Sequence, residues 1–175
     1  MRTYNRPKEC SLSKQAVDSL AASVASQLGY RAGAPLEPIV HGLGGKIILS
    51  SGADISDNSS GSIRIRSESD FEIILARHTG PTRDRFTIAH ELGHYVLHYL
   101  WPRRHGIDPG WIEAQRYGTG RVEWEANWFA AGFLMPEEIF RELATRLSSD
   151  VNALATAFNV SSEAARVRAS NLGLI

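Results

Sequence analysis

Between Ser11 and Leu28 the apolar side chains Leu12, Ala16, Leu20, Val24 and Leu28 recur with a helical period, which predicts one amphipathic helix ended by Gly29. The polar, basic stretch before it, residues 1–10, predicts a frayed end. A second short helix is expected from Pro35 or Leu36 to about Leu43, stopped by Gly44-Gly45. Lys46 to Ser50 then reads as a strand, Ser51 to Ser60 as turn chemistry, and Ser62 to Arg66 as a strand with period-two alternation. Phe71 to Leu75 reads as a continuous apolar strand.

A longer helix is expected from an N-cap at Thr82 or Asp84 to Trp101, where Pro102 ends it. Ala89, Leu92, Gly93, Val96, Leu97 and Leu100 form its apolar stripe, and His90, Glu91, His94 and His98 occupy the adjoining face. Residues 102–121, rich in Pro, Gly and Arg, read as a surface loop. From Val122 a helix runs through Ala126, Phe129, Ala130, Phe133 and Leu134 to Pro136, and Glu137 and Glu138 open the next. Asp150 to Phe158, a turn at Asn159-Val160, and Ser161 to Leu172 make a pair of helix-turn-helix spacing. The expected class is α+β, a small mixed or antiparallel sheet of about three strands packed on helices. Its expected parts are an N-terminal helical segment (1–34), a catalytic domain (35–136) and a C-terminal helical subdomain (137–175).

Composition narrows the function. A chain of 175 residues, 43% hydrophobic and 22% charged, can bury a sizeable core. One cysteine, Cys10, cannot pair within the chain, and the sequence opens without a secretory signal, so a reducing cytoplasm is expected. Nothing approaches the roughly 20 apolar residues of a membrane span. Nineteen basic residues balance 19 acidic ones, so no net field draws nucleic acid or an anionic membrane.

The chemistry lies in His90-Glu91-Leu92-Gly93-His94, the pattern His-Glu-x-x-His. Residues four apart are about 40° apart round a helix, so the two imidazoles project from one face and can share a metal ion. Glu91, roughly 100° from His90, is placed to hydrogen-bond a water in the open fourth position. A third ligand must come from downstream, with Glu123 and Glu125 as candidates. Glu123 is favoured, because Asn127 shares its helical face and can hydrogen-bond the outer nitrogen of a metal-bound histidine.

The segments Arg85-Phe86-Thr87-Ile88-Ala89-His90-Glu91-Leu92-Gly93-His94 and Glu123-x-x-x-Asn127-x-Phe129-Ala130-Ala131-x-x-Leu134-Met135-Pro136 resemble the ImmA/IrrE metallopeptidases. The likeness extends over roughly residues 35 to 175. It implies a gluzincin-like fold, one zinc ion on His90, His94 and Glu123, Glu91 as general base, and Asn127 behind the ligands. It also implies a protein substrate, a repressor-type transcription factor encoded nearby whose cleavage releases stress or excision genes.

Several residues stay open at this level. His98, Tyr95, Tyr117, His105 and Arg121 are candidates for steadying a developing oxyanion or touching substrate, and His98 equally suits a histidine supporting the ligands or capping the helix end. Cys10 offers a thiolate that could mask the metal, and Arg103-Arg104 with His105 could capture an acidic substrate stretch. Strand 71–75 or its neighbour is expected to offer an edge for an extended substrate. Two other functions compete: a catalytically silent zinc protein that regulates by binding, and a DNA-binding regulator using the last two helices. Against the latter, residues 137–175 carry four arginines and five acidic residues.

Overall fold

The computed structural model describes residues 3–50, 61–77, 79–115 and 120–175. The turn expected over 51–60, and Tyr117, lie outside the described residues.

Helix α1 (Lys14–Gln27) starts where the Ser13 hydroxyl accepts from the Ala16 N–H, three residues later than the periodicity suggests. Its fully buried line is Val17, Ala21 and Ala25, with the larger Leu20, Val24 and Leu28 on the flanks. Small residues lead because α1 lies close against α5 (Arg121–Leu134): a Cβ on Gly132 would stand 3.1 Å from the Ala21 Cβ. Gly29, at φ +67°, ends α1 in a left-handed turn.

Short α2 (Glu37–Gly42) leads into β1 (Gly45–Leu49), followed by β2 (Gly61–Ser67) and β3 (Asp70–Leu75). The sheet has four strands in the order β1-β3-β2-β4, with β1 parallel to β3 and the other pairs antiparallel. Strand β3 is not an edge: it lies between β1 and β2, and its neighbour β1 lies at the border. It also alternates, with Phe71, Ile73 and Leu75 buried, because one face only meets the core. The fourth strand, β4 (Ile112–Gln115), falls in the stretch read as loop. Four residues carry too little periodicity to announce a strand; pairing with Ser62 to Ile65 makes it one.

The N-terminal stretch is docked, not frayed. Asn5 pairs with Ile112 on the outer side of β4, its N–H donating to the Trp111 carbonyl at 2.7 Å while Glu113 N–H donates to the Asn5 carbonyl at 3.0 Å.

Helix α3 (Pro81–Gly93) starts at Gly80, with Pro81 in the first turn; Asp84, read as a cap, bonds the Thr79 hydroxyl instead. After Gly93 the helix widens into a π segment (His94–Leu100) and closes as α4 (Trp101–Arg104). Pro102 therefore does not end the helix. It sits in the first turn after a change of register, where a missing N–H costs least.

Helix α5 is followed by α6 (Glu137–Arg146), α7 (Val151–Phe158) and α8 (Ser162–Asn171). Asp150 and Ser161 cap the last two, and Asn159, at φ +53°, makes the left-handed turn between them. One apolar cluster runs from Val17 through the sheet and α3 to Ala169. The last helices are tied in by Arg168, whose Nη1 lies 2.6 Å from the Asp18 carboxylate and whose Nε donates to the Met135 carbonyl at 2.9 Å. Among the described residues, no helix is long and apolar enough to cross a membrane.

Candidate metal centre

The helical spacing sets His90 and His94 one turn apart, and Gly93 lets α5 come close enough to bring its carboxylate to both. His90 Nε2 lies 3.1 Å from Glu123 Oε2, His94 Nε2 lies 3.3 Å from Glu123 Oε1, and the two Nε2 atoms are 3.2 Å apart. A tetrahedral zinc ion with bonds of about 2.0–2.1 Å holds its donors roughly 3.3–3.4 Å apart, close to the spacing of the two imidazole nitrogens and of each nitrogen to one oxygen of the Glu123 carboxylate. Both histidines are buried and Glu123 is nearly so.

Hydrogen bonds behind the rings leave the right lone pairs facing the centre. His90 Nδ1 meets Asn127 Oδ1 at 2.8 Å; an amide oxygen only accepts, so Nδ1 carries the proton and Nε2 stays bare. His94 is supported differently. Its Nδ1 meets His98 Nδ1 at 3.0 Å, and His98 Nε2 meets Glu125 Oε2 at 2.9 Å. With Glu125 ionised, His98 Nε2 is the donor, His98 Nδ1 accepts from His94, and His94 Nε2 is bare as well.

The electrostatics match those states. Burial, reinforced by the neighbouring His90 and His98, pushes the His94 pKa down to about 4, so the ring is neutral near pH 7. Burial works to raise the Glu123 pKa, but in the metal-free chain a second proton on His90 or His94, donated from Nε2, outweighs it and holds the carboxyl at about 2, and that proton occupies the place a cation would take. Glu125 is similar: the desolvation of its fully buried carboxylate is outweighed by His98, the Cys10 backbone and Arg121, which leave it at about 2.

Glu91 follows His90 on the same turn and is buried; a Cβ added to Gly61, at the start of β2, would stand 3.4 Å from its Oε1. The substrate-contact candidates each have partners within the chain. Tyr95 donates to the Glu68 carbonyl at 2.7 Å and stacks on Phe71, on the sheet side of the helix. His98 is enclosed between His94 and Glu125, buried from solvent. Arg121 Nε donates to Glu125 at 3.0 Å, and His105 caps the helix end at the Trp101 carbonyl. Arg103 is engaged by Glu68 and Asp108.

Cys10 does not join the three donors. It groups with His98 and Glu125, and burial, with Glu125 beside it, pushes its thiol up to about 11, which keeps it protonated. Sequence reasoning missed the part played by Glu125, whose helical partner is Arg121, four residues before it, at 3.0 Å. Two more of its partners are the N–H groups of Cys10 and Ser11, at 2.9 and 3.1 Å, which no local pattern reveals.

Two hollows lie near the site, one bordered by Glu123 and the other by Asn127. One of 630 Å³ opens beside Glu123 between the N-terminal segment and β4, bordered by Tyr4, Arg6, Gln115 and Arg121. The other, of 720 Å³ and mainly apolar, follows the seam of α3, α5 and α8 from Thr87 and Asn127 to Phe86, Trp128 and Val167.

Among solved structures the chain is similar to a Mycobacterium tuberculosis transcriptional regulator, with a TM-score of 0.65 and 21% identity over 89% of this chain. That level of identity shows a shared fold, and the match spans 46% of the regulator's own length. No curated protein matches the chain. A peptidase family model, described as the IrrE N-terminal-like domain, matches residues 53–170. The stretch contains all three donors, Glu91 and Asn127, and the chain belongs to this family of metallopeptidase type.

Proposed function

We propose that the protein is a zinc-dependent endopeptidase whose substrate is a protein, specifically a repressor-type transcription regulator. The observation that carries this reading is the convergence of His90 Nε2, His94 Nε2 and the two Glu123 carboxylate oxygens at 3.1–3.3 Å, with Glu91 next to His90 on the same turn. A zinc ion bound there would supply a polarised carbonyl and a water with its pKa lowered to about 7. Glu91 accepts the proton of the attacking water and returns it to the leaving amine. Asn127 and His98 keep both imidazoles in the tautomer that presents a lone pair. The hollow beside Glu123 gives an extended chain room next to the donors.

An endopeptidase fits better than a DNA-binding regulator. Arg141, Arg146, Arg166 and Arg168 pair with Glu137, Glu142, Glu163 and Asp18, which leaves α6 to α8 little charge for phosphates. Incubating a candidate repressor with wild type and with Glu91→Gln tests the proposal. Wild type should give fragments that a chelator suppresses, and Glu91→Gln should retain metal while cutting about 10²–10⁴-fold more slowly. Equal effects of both proteins on the repressor, without fragments, would favour regulation by binding alone.

A further inference from the structure

Glu125 is fully buried yet is not one of the three donors. A carboxylate kept ionised in the interior needs full satisfaction, and here it comes from four directions. Oε2 accepts from His98 and the Cys10 N–H, and Oε1 accepts from the Ser11 N–H and Arg121 Nε. Arg121 in turn donates to the Leu12 carbonyl at 2.7 Å. The charge thus faces a ring that touches His94, and the N-terminal segment closes the array from outside.

Its directionality is fixed by chemistry. A carboxylate only accepts, so His98 must present its N–H to Glu125 and its lone pair to His94. Without Glu125 nothing selects that tautomer, and His94 could turn its bare nitrogen to His98 and its N–H to the centre. We propose that Glu125 and His98 are positioning residues that hold His94 in its ligating tautomer, with the Cys10 and Ser11 backbone completing the support. This rests on the metal site proposed above.

Cobalt(II) titration of the full chain tests it, read by the visible absorption of the bound ion and by affinity. Glu125→Gln, nearly isosteric, and His98→Ala should each weaken cobalt binding about 10–100-fold and shift the visible band. His98→Asn, which restores an acceptor close to the position of Nδ1, should recover part of the affinity lost in His98→Ala. Because both residues act through one array, the double variant should bind no worse than His98→Ala alone. Wild-type affinity with an unchanged band in Glu125→Gln and His98→Ala, or losses that multiply in the double variant, would overturn the proposal. Should His98→Ala not fold, Glu125→Gln decides alone, with the circular dichroism of the metal-free protein as its folding control. A wild type that takes up no cobalt would instead remove the metal site itself, and this inference with it.

Discussion

Gly93 on α3 abuts Ala126 on α5 so closely that a Cβ at position 93 would stand 3.0 Å from the Ala126 Cα and 3.1 Å from its carbonyl oxygen. This contact sets how near Glu123 and Asn127 come to the histidines. Gly93→Ala gains up to about 1 kcal/mol of helix propensity, whereas overpacking against backbone costs about 1–3 kcal/mol. The second effect wins because backbone cannot swing aside. The variant should be modestly destabilised in urea titration and should bind zinc at least about tenfold more weakly by competition with a chromophoric chelator.

Asn127 should matter through its oxygen. Asn127→Leu removes the acceptor at His90 Nδ1 and should weaken zinc binding about 10–100-fold, while Asn127→Asp, which keeps an acceptor, should stay near wild type. Equal losses in both would show that the amide acts in some other way.

Acid should destabilise the metal-free protein in two stages. His94 is held below its ordinary 6.5, at about 4, so the unfolded chain binds its proton first, and the stability owed to the neutral ring declines as pH falls from 6.5 towards 4. Glu123 and Glu125, held at about 2 against 4.5, add a further loss as pH drops from 4.5 towards 2. Thermal midpoints between pH 7.5 and 3 should decline across both windows, and His94→Gln should remove the upper one.

Arg168 and Asp18 join α8 to α1 in a largely buried ion pair. Arg168→Leu strands the carboxylate and leaves the Met135 carbonyl without its donor, which should cost about 3–5 kcal/mol in urea unfolding. The double variant with Asp18→Asn should recover part of that loss, because no charge is then left uncompensated.

Cys10 should alkylate slowly. A thiol at about 11 instead of the ordinary 9.0 has about 100-fold less thiolate at pH 7.5. Iodoacetamide labelling should be slower than for a free cysteine by at least that factor, and denaturant should restore the ordinary rate.

The legible parts of this chain were those whose physics is local. The phase of His90 and His94, the partnership of Glu123 with Asn127, and the apolar lines of α3 and α5 follow from residue spacing alone. Strand β4 did not, because four residues gain their identity from the backbone of β2. The carriage of the helix through Pro102 depends on a π segment that leaves no mark in hydrophobic period. The support of His94 was only half legible: His98, four residues on, was open as a ligand support, but the Cys10 and Ser11 N–H groups that help satisfy Glu125 lie more than 100 positions away.

The bond from Cys10 N–H to Glu125 spans 115 positions of sequence. At synthesis rates of about 5–20 residues per second, the amino end waits roughly 6–23 seconds on the ribosome before its acceptor exists. For most of that interval β4 is unmade as well, so Asn5 and Cys10 emerge long before the groups on which they dock. A fusion or processing event that delays or blocks that late step would leave the histidine helix assembled but unbraced on its far side.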